Sequence, residues 1–367
     1  MRIAQIAPLI ERVPPTTYGG TERVVSVLTE ELVRRGHDVT LFASGDSVTS
    51  ANLVATYPKP LREAMPHDTQ KKVMVSLLHL GKAYERADEF DVIHDHTSHF
   101  GVAFANSCHT PVIMTMHGPF SAQNKLMYSM LRRPNLVTIS KSQGKEATGL
   151  NHLGTVYNGL PMEEFPFSAQ SEGYLLFVGR ICPEKGVHHA ITVAERLGLP
   201  LIIAAKLDVD RYGEYFEKEI KPRLTKKIRW IGEVNEEQRN KLYSKALCFL
   251  HALTWAEPFG LTLVEAMACG CPVVAFNKGS IPEIVAHGKT GFVVDTVEEM
   301  ITVVKHISTI QRTTCREYAL TTFNEQRMVS SYESLYHALA TEKLSATQSS
   351  QLPIWSPSGY PKLGLAF

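Results

Sequence analysis

A chain of 367 residues is longer than one small core uses and suggests two domains. With 44% apolar and 20% charged residues and a formal charge of +1, it fits neither a disordered chain nor an electrostatically driven nucleic-acid binder. No apolar run approaches the ~20 residues that span a bilayer, so no transmembrane segment is expected, although peripheral membrane contact stays open.

The chain then alternates between β-branched runs and amphipathic stretches, the pattern of βα units around a parallel sheet. "RIAQIA" (2–7) reads as a first strand rather than a signal peptide. Over 19–36, Val24, Leu28 and Leu32 recur at every fourth position, which predicts a helix ended by Gly36. Further strands are expected at 38–43, 91–94, 111–116 and 136–140. Turn residues gather at 157–173, the expected linker. The alternation restarts with strands at 174–179, 199–205, 228–232, 246–252 and 271–276, and with helices near 186–197, 211–221 and 235–245 between the first four. We therefore expect two Rossmann-like, doubly wound α/β domains, 1–165 and 171–320, facing a cleft. The Ser-, Gln- and Pro-containing stretch 342–367 reads as a flexible or surface-draped tail. Six cysteines show no disulfide framework and no CxxC; a reducing cytoplasm is the simplest compartment, and Cys269 and Cys271 read as small buried residues.

Residues with chemical potential fall just after the strands. Gly19 and Gly20, in "YGGTER", open a helix, where bare N–H groups and the helix dipole favour an anion; an ordinary glycine turn is the alternative. Arg180 and Lys185, in "GRICPEKG", suit a diphosphate, or are solvated surface charges. In "WAEPFGLTLVEAMACG", Pro258 and Gly260 put Glu257 in a loop before a helix expected to start near Thr262. Thr262 and Glu265 then have capping-box spacing. That leaves Glu257 unexplained. A phosphate on the N–H groups of Phe259, Gly260 and Leu261, with hydroxyl-bearing groups on either side for the two carboxylates, would explain both.

Three patterns compete with this site. Asp208 and Asp210 form a "DVD" like a metal-binding DxD. His94, His96 and His99 could hold zinc, or line a cleft as polar residues. "HGKTG" (287–291) has the end of a P-loop, but its leading glycine would fall on Glu283. The first strand is not followed by G-x-G-x-x-G, which weakens a dehydrogenase reading.

Taken in order, "YGGTE", "VYNGLPMEEF", "GRICPEKG", the E-x7-E of "EPFGLTLVEAMACGCPVVA" and "GSIPEIV" resemble the retaining glycosyltransferases of family 4, with the GT-B two-domain fold. The resemblance implies that Arg180 and Lys185 bind the diphosphate of a nucleotide-sugar donor. Gly19 and Gly20 would approach the phosphate or sugar, and backbone from Phe259 through Gly260 and Leu261 to Thr262 would complete the grip. It assigns Glu257 to the sugar hydroxyls, Glu265 to the ribose, His117 to the neighbourhood of the transferred sugar, and Ile231 to Val234 to the base. It further implies a last helix (324–340) folded back on the first domain, and a loop before "PEIV" in which Ser280 replaces a frequent glycine. No cofactor or metal is implied beyond the donor substrate; UDP-glucose is the first expectation and GDP-mannose the second, with the acceptor open. The competing functions are an epimerase or hydrolase on the same scaffold, or a non-catalytic nucleotide-sugar or glycan-binding module.

Overall fold

The structure is a computed structural model describing residues 1–348 other than Tyr18 and Arg132. Helix α1 (Gly20–Arg34) forms where the four-residue spacing predicts, and Val24, Leu28 and Leu32 are all buried. Beside it lies a seven-stranded sheet in the order β3-β2-β1-β4-β5-β6-β7. Its strands are β1 (Arg2–Ile6), β2 (Asp38–Ala43), β3 (Asn52–Ala55), β4 (Val92–Asp95), β5 (Val112–Met116), β6 (Asn135–Thr138) and β7 (His152–Thr155). A second sheet has the order β10-β9-β8-β11-β12-β13. It comprises β8 (Leu175–Arg180), β9 (Leu201–Lys206), β10 (Ile228–Gly232), β11 (Cys248–His251), β12 (Val273–Phe276) and β13 (Gly291–Val294). Every pairing in both sheets is parallel.

Both sheets are doubly wound, and the strand order reverses between β1 and β4 and between β8 and β11. Ligands of such sheets lie at the C-terminal ends of the strands beside that reversal. Three strands escape the sequence reading: β3, β7 and β13. Each is four residues long and lies at a sheet edge, and β3 and β7 are largely exposed or half-buried, so their sequences carry no long apolar run.

The helices that bear on the site are α2 (Thr69–Glu85), α3 (Val187–Leu197), α4 (Val209–Tyr215), α5 (Glu236–Lys245), α6 (Leu261–Ala268) and α7 (Glu325–Gln348). Helix α7 returns to the first domain, where Met328, Val329, Tyr332, Tyr336 and Leu339 share one core with Ile3, Val24, Leu28 and Leu32. The backbone of α7 continues to Gln348; the rest of the expected tail lies outside the described residues. The chain crosses between the two sheets twice, and the crossings are pinned together. Leu160 N–H donates to Phe323 O at 2.9 Å and Glu325 N–H to Leu160 O at 3.2 Å. A third tie is Glu283, which accepts the N–H groups of Lys141 (2.8 Å) and Ser142 (2.6 Å) and the hydroxyl of Tyr157 (2.8 Å).

Candidate active site

On the second domain, β8 ends at Arg180, and the turn after it carries Lys185 to the start of α3. Lys185 Nζ lies 3.0 Å from Glu257 Oε2 and 5.1 Å from the centre of the Trp255 ring. Glu257 sits in the loop between β11 and α6. That loop is stapled from behind by Ser280: its N–H donates to Glu257 O at 3.0 Å and its hydroxyl to Phe259 O at 2.9 Å. Gly279, with φ of 58°, makes this approach possible, because a Cβ there would lie 2.4 Å from Glu257 O. Serine at 280 therefore serves the loop with its side chain as well as its backbone.

Helix α6 starts one residue earlier than expected, with Gly260 in the left-handed conformation as N-cap and no side-chain cap. Thr262 is then the second helical residue, and Glu265 is too deep to reach back to the cap. This overturns the capping-box alternative. Glu265 is instead buried between two guanidinium groups. Arg23 Nη1 lies 2.5 Å from Oε1, and Arg239 Nε lies 2.9 Å from Oε2, off the direction of a good hydrogen bond. Arg23 belongs to α1 of the first domain and also pairs with Glu236 at the start of α5, so it bridges the cleft.

Two cavities meet here. One, of ≈ 490 Å³, is lined by Arg180, Lys185, Glu257 and His117. The other, of ≈ 160 Å³, is lined by Glu265, Arg239, Val234 and Arg23. They share Gly19, Gly20, Leu261 and Thr262, so the N-terminus of α6 and the opening of α1 form their common wall. Ile231 lies on edge strand β10 and is 41% exposed, whereas Val234 lines the smaller cavity.

Residues 18–162 match the family "Glycosyltransferase Family 4", and residues 163–318 match "Glycosyl transferases group 1". The chain is a family 4-type glycosyltransferase with the GT-B fold. It is 28% identical over 339 residues to an uncharacterised glycosyltransferase of Methanocaldococcus jannaschii, covering 78% of this chain and 84% of that one. It is 29% identical over 340 residues to a glycogen synthase of Mycobacterium tuberculosis, covering 76% and 79%. In structure it resembles sucrose-phosphate synthase of Thermosynechococcus elongatus, with a TM-score of 0.76, 17% identity and coverage of 93% and 99%. It also resembles Anabaena HepE in complex with UDP and glucose, with a TM-score of 0.69, 19% identity and coverage of 92% and 100%.

The remaining wall of the glycosyltransferase cleft is a chain of buried neutral groups. His117, after β5, places Nε2 2.9 Å from His96 Nδ1, and burial lowers its pKa to about 4. His96 Nε2 meets Gln5 Oε1 at 2.8 Å, and Gln5 Nε2 donates to the Tyr336 hydroxyl at 3.2 Å. That hydroxyl lies 2.6 Å from His94 Nδ1, and His94 Nε2 lies 2.7 Å from the Thr115 hydroxyl. His94 is committed to protein partners in the core, whereas His96, also hydrogen-bonded to protein, and His99 both reach the wall of a cavity in the first domain.

Asp208 is the N-cap of α4, accepting the Arg211 N–H at 3.2 Å. Among the described residues no group of three or more His, Cys, Asp or Glu side chains stands so as to hold a metal ion. No helix among them is long and apolar enough to cross a membrane. Cys182, Cys248, Cys269, Cys271 and Cys315 are buried and form no disulfide, Cys269 and Cys271 being fully buried.

Arg23, Asn158, Glu22 and Arg239 are cleft residues without an assignment from the sequence. Arg23 is part of "YGGTER", one turn into the helix that the glycines open. Asn158, buried in "VYNG", lines the larger cavity with Oδ1 lacking a protein partner. Glu22, also on that wall, accepts the Glu11 N–H at 3.3 Å, and burial raises its pKa to about 7.

Proposed function

We propose that this glycosyltransferase moves a sugar from a nucleoside diphosphate to an acceptor hydroxyl with retention at the anomeric carbon and without a metal. The observation that carries the reading is the pair of adjoining cavities. In the larger, Arg180 and Lys185 stand with Glu257; in the smaller, Glu265 is buried; and a helix N-terminus stands between them. A diphosphate at that shared wall meets the N–H groups of Leu261 and Thr262 and the charges of Arg180 and Lys185. The sugar then extends toward Glu257 and His117. The nucleoside extends toward Glu265 and Val234, with Ile231 beyond it at the edge strand.

Retention follows a front-face path. No carboxylate is assigned the part of a covalent nucleophile. The acceptor proton passes to the diphosphate as its bond to the sugar breaks, and the two cations stabilise the charge that develops there. His117, neutral at its depressed pKa, positions the sugar. UDP-glucose is the first donor proposed and GDP-mannose the second; HepE is crystallised with UDP-glucose, and the curated relatives include mannosyltransferases. The five buried cysteines, none in a disulfide, fit a cytoplasmic home. Calorimetric titration of UDP, UDP-glucose, GDP and GDP-mannose tests the donor site, and NMR of the sugar released tests retention. Failure of all four to bind, or release of the inverted anomer, would overturn the reading.

A further inference from the structure

A third cavity, of ≈ 390 Å³, opens from the first domain and shares Pro8, Ile10, Thr21, His117, Gly118 and Pro119 with the larger donor cavity. Its inner wall is Leu9, Leu80 and Met116, and Phe100 stands at its rim, stacked on His99 with ring centres 4.4 Å apart. No Asp, Glu, Lys or Arg lines it among the described residues. The four histidines that do are neutral near pH 7: burial lowers His79 and His117 to about 4 and lowers His96 and His99 as well.

The wall is fixed from below. Asp95 accepts the Thr97 N–H and hydroxyl, both at 2.7 Å, and the Tyr84 hydroxyl at 2.8 Å. Gly101 passes so close to that carboxylate that a Cβ would lie 1.9 Å from Oδ2. The next residue after this anchored loop, Ser98, holds a left-handed φ of 59°. On α2 the apolar stripe continues outward from Leu80 through Leu77 to Val73, both of which are exposed.

We propose that this cavity receives the apolar, uncharged part of the acceptor, an alkyl or aryl group, and delivers the acceptor's hydroxyl past His117 to the sugar. The inference rests on the glycosyltransferase reading above. Its volume is at the small end of ligand pockets, which run to roughly 300–1,000 Å³. An apolar body gains from leaving water there, whereas a phosphate or carboxylate would meet no cation. In the transfer, the hydroxyl oxygen bonds to the anomeric carbon, the bond from that carbon to the diphosphate oxygen breaks with its electron pair, and the hydroxyl proton goes to the diphosphate.

The test is calorimetric titration of p-nitrophenyl glucoside, octyl glucoside, glucose and glucose 6-phosphate into the full chain without donor. The aryl and alkyl glucosides should bind at least roughly tenfold more tightly than glucose, and the phosphate no more tightly than glucose. Ser76→Trp fills the cavity from α2 and should abolish the preference; Phe100→Ala should reduce it. Glucose or glucose 6-phosphate binding as well as the aryl glucoside would overturn the proposal, as would a preference that survives in both folded variants. UDP-glucose titrated into the same samples separates the two readings: its failure beside an intact aryl preference removes the donor assignment and leaves the cavity's chemistry standing.

Discussion

The two walls of the cleft solve the problem of burying polar groups in opposite ways. The second-domain wall uses charge: Lys185 faces Glu257, and Arg239 faces Glu265. The first-domain wall uses neutral hydrogen-bonded rings and hydroxyls, from His117 through His96, Gln5, Tyr336 and His94 to Thr115. Burying an unpaired charge costs several kcal/mol, so each charge on the second wall is kept at the rim or matched. A ligand carrying two phosphates can exchange with those pairs. A neutral wall offers it nothing, and so suits the sugar and acceptor. The contrast teaches that the polar groups of the cleft are divided by the charge of what each wall meets.

The contrast breaks most severely if the cations go. Arg180→Ala and Lys185→Ala should each reduce transfer roughly 10²-fold or more, as expected when developing leaving-group charge loses a partner. Melting temperatures should change little, because Lys185 is at the rim and only part-buried with its partner. Steady-state rates and thermal melts check this; near-wild-type turnover in both variants would remove the diphosphate site.

Beyond the paired Arg62 and Glu11 and the bridging Arg23, Glu22 is a carboxyl on the first-domain wall, and pH exposes it. Its carboxyl holds a proton more tightly folded than unfolded, with a pKa of about 7 against an ordinary 4.5. Between those values the folded state binds more protons, so this group's contribution falls as the pH rises from about 4.5 to 7 and then levels off. At pH 8 that amounts to up to about 3 kcal/mol. His79 and His117, depressed to about 4, act oppositely, adding stability as the pH rises from 4 toward 6.5. Glu22→Gln removes only the first slope, so the variant should gain on wild type in melting temperature at pH 8 relative to pH 5. A constant difference across that range would show that Glu22 is ionised in the fold.

How far this division could be read in advance differs by wall. Arg180, Lys185, Glu257 and Glu265 reach the two adjoining cavities because each follows a strand of a parallel sheet, a placement that the βα pattern already implies. The neutral wall is much less legible. The pattern "HDHTSH" gives no sign that Asp95 anchors a loop or that His94 and His96 bond to the core, because their partners Gln5 and Tyr336 are distant in the chain. The long central strands announce themselves by apolar runs, while edge strands β3 and β7, half in water, do not. Glu283 stands in "GSIPEIV" and spoils a P-loop, neither of which signals that it ties the domains together.

Within the charged wall the two glutamates should separate. Glu265→Gln should weaken bare UDP or GDP roughly tenfold, since a charged hydrogen bond is worth about 1.5–3 kcal/mol. The buried arginine pair makes some loss of melting temperature an added expectation for this variant. Glu257→Gln should spare the bare nucleotide and weaken the sugar nucleotide. Titration of UDP and UDP-glucose, or GDP and GDP-mannose, into both variants decides; equal losses for the two ligands in Glu257→Gln would contradict this division of labour.

The smallest effect tests where the walls touch. Arg23 is the one first-domain residue described here that reaches Glu265, and it occupies the face of the carboxylate that a ribose would need. The nucleotide must therefore displace it or share Glu265 with it. Arg23→Ala removes the competitor but leaves Arg239 to hold the carboxylate, so the site keeps its charge match. Only one of the carboxylate's two partners is lost, so UDP affinity should rise by no more than roughly fivefold, with the gain shrinking as salt is added. Calorimetry at low and high ionic strength reads both signs. An affinity that falls in Arg23→Ala would mean that Arg23 turns onto the phosphates when the nucleotide enters, making it a donor ligand contributed by the neutral wall.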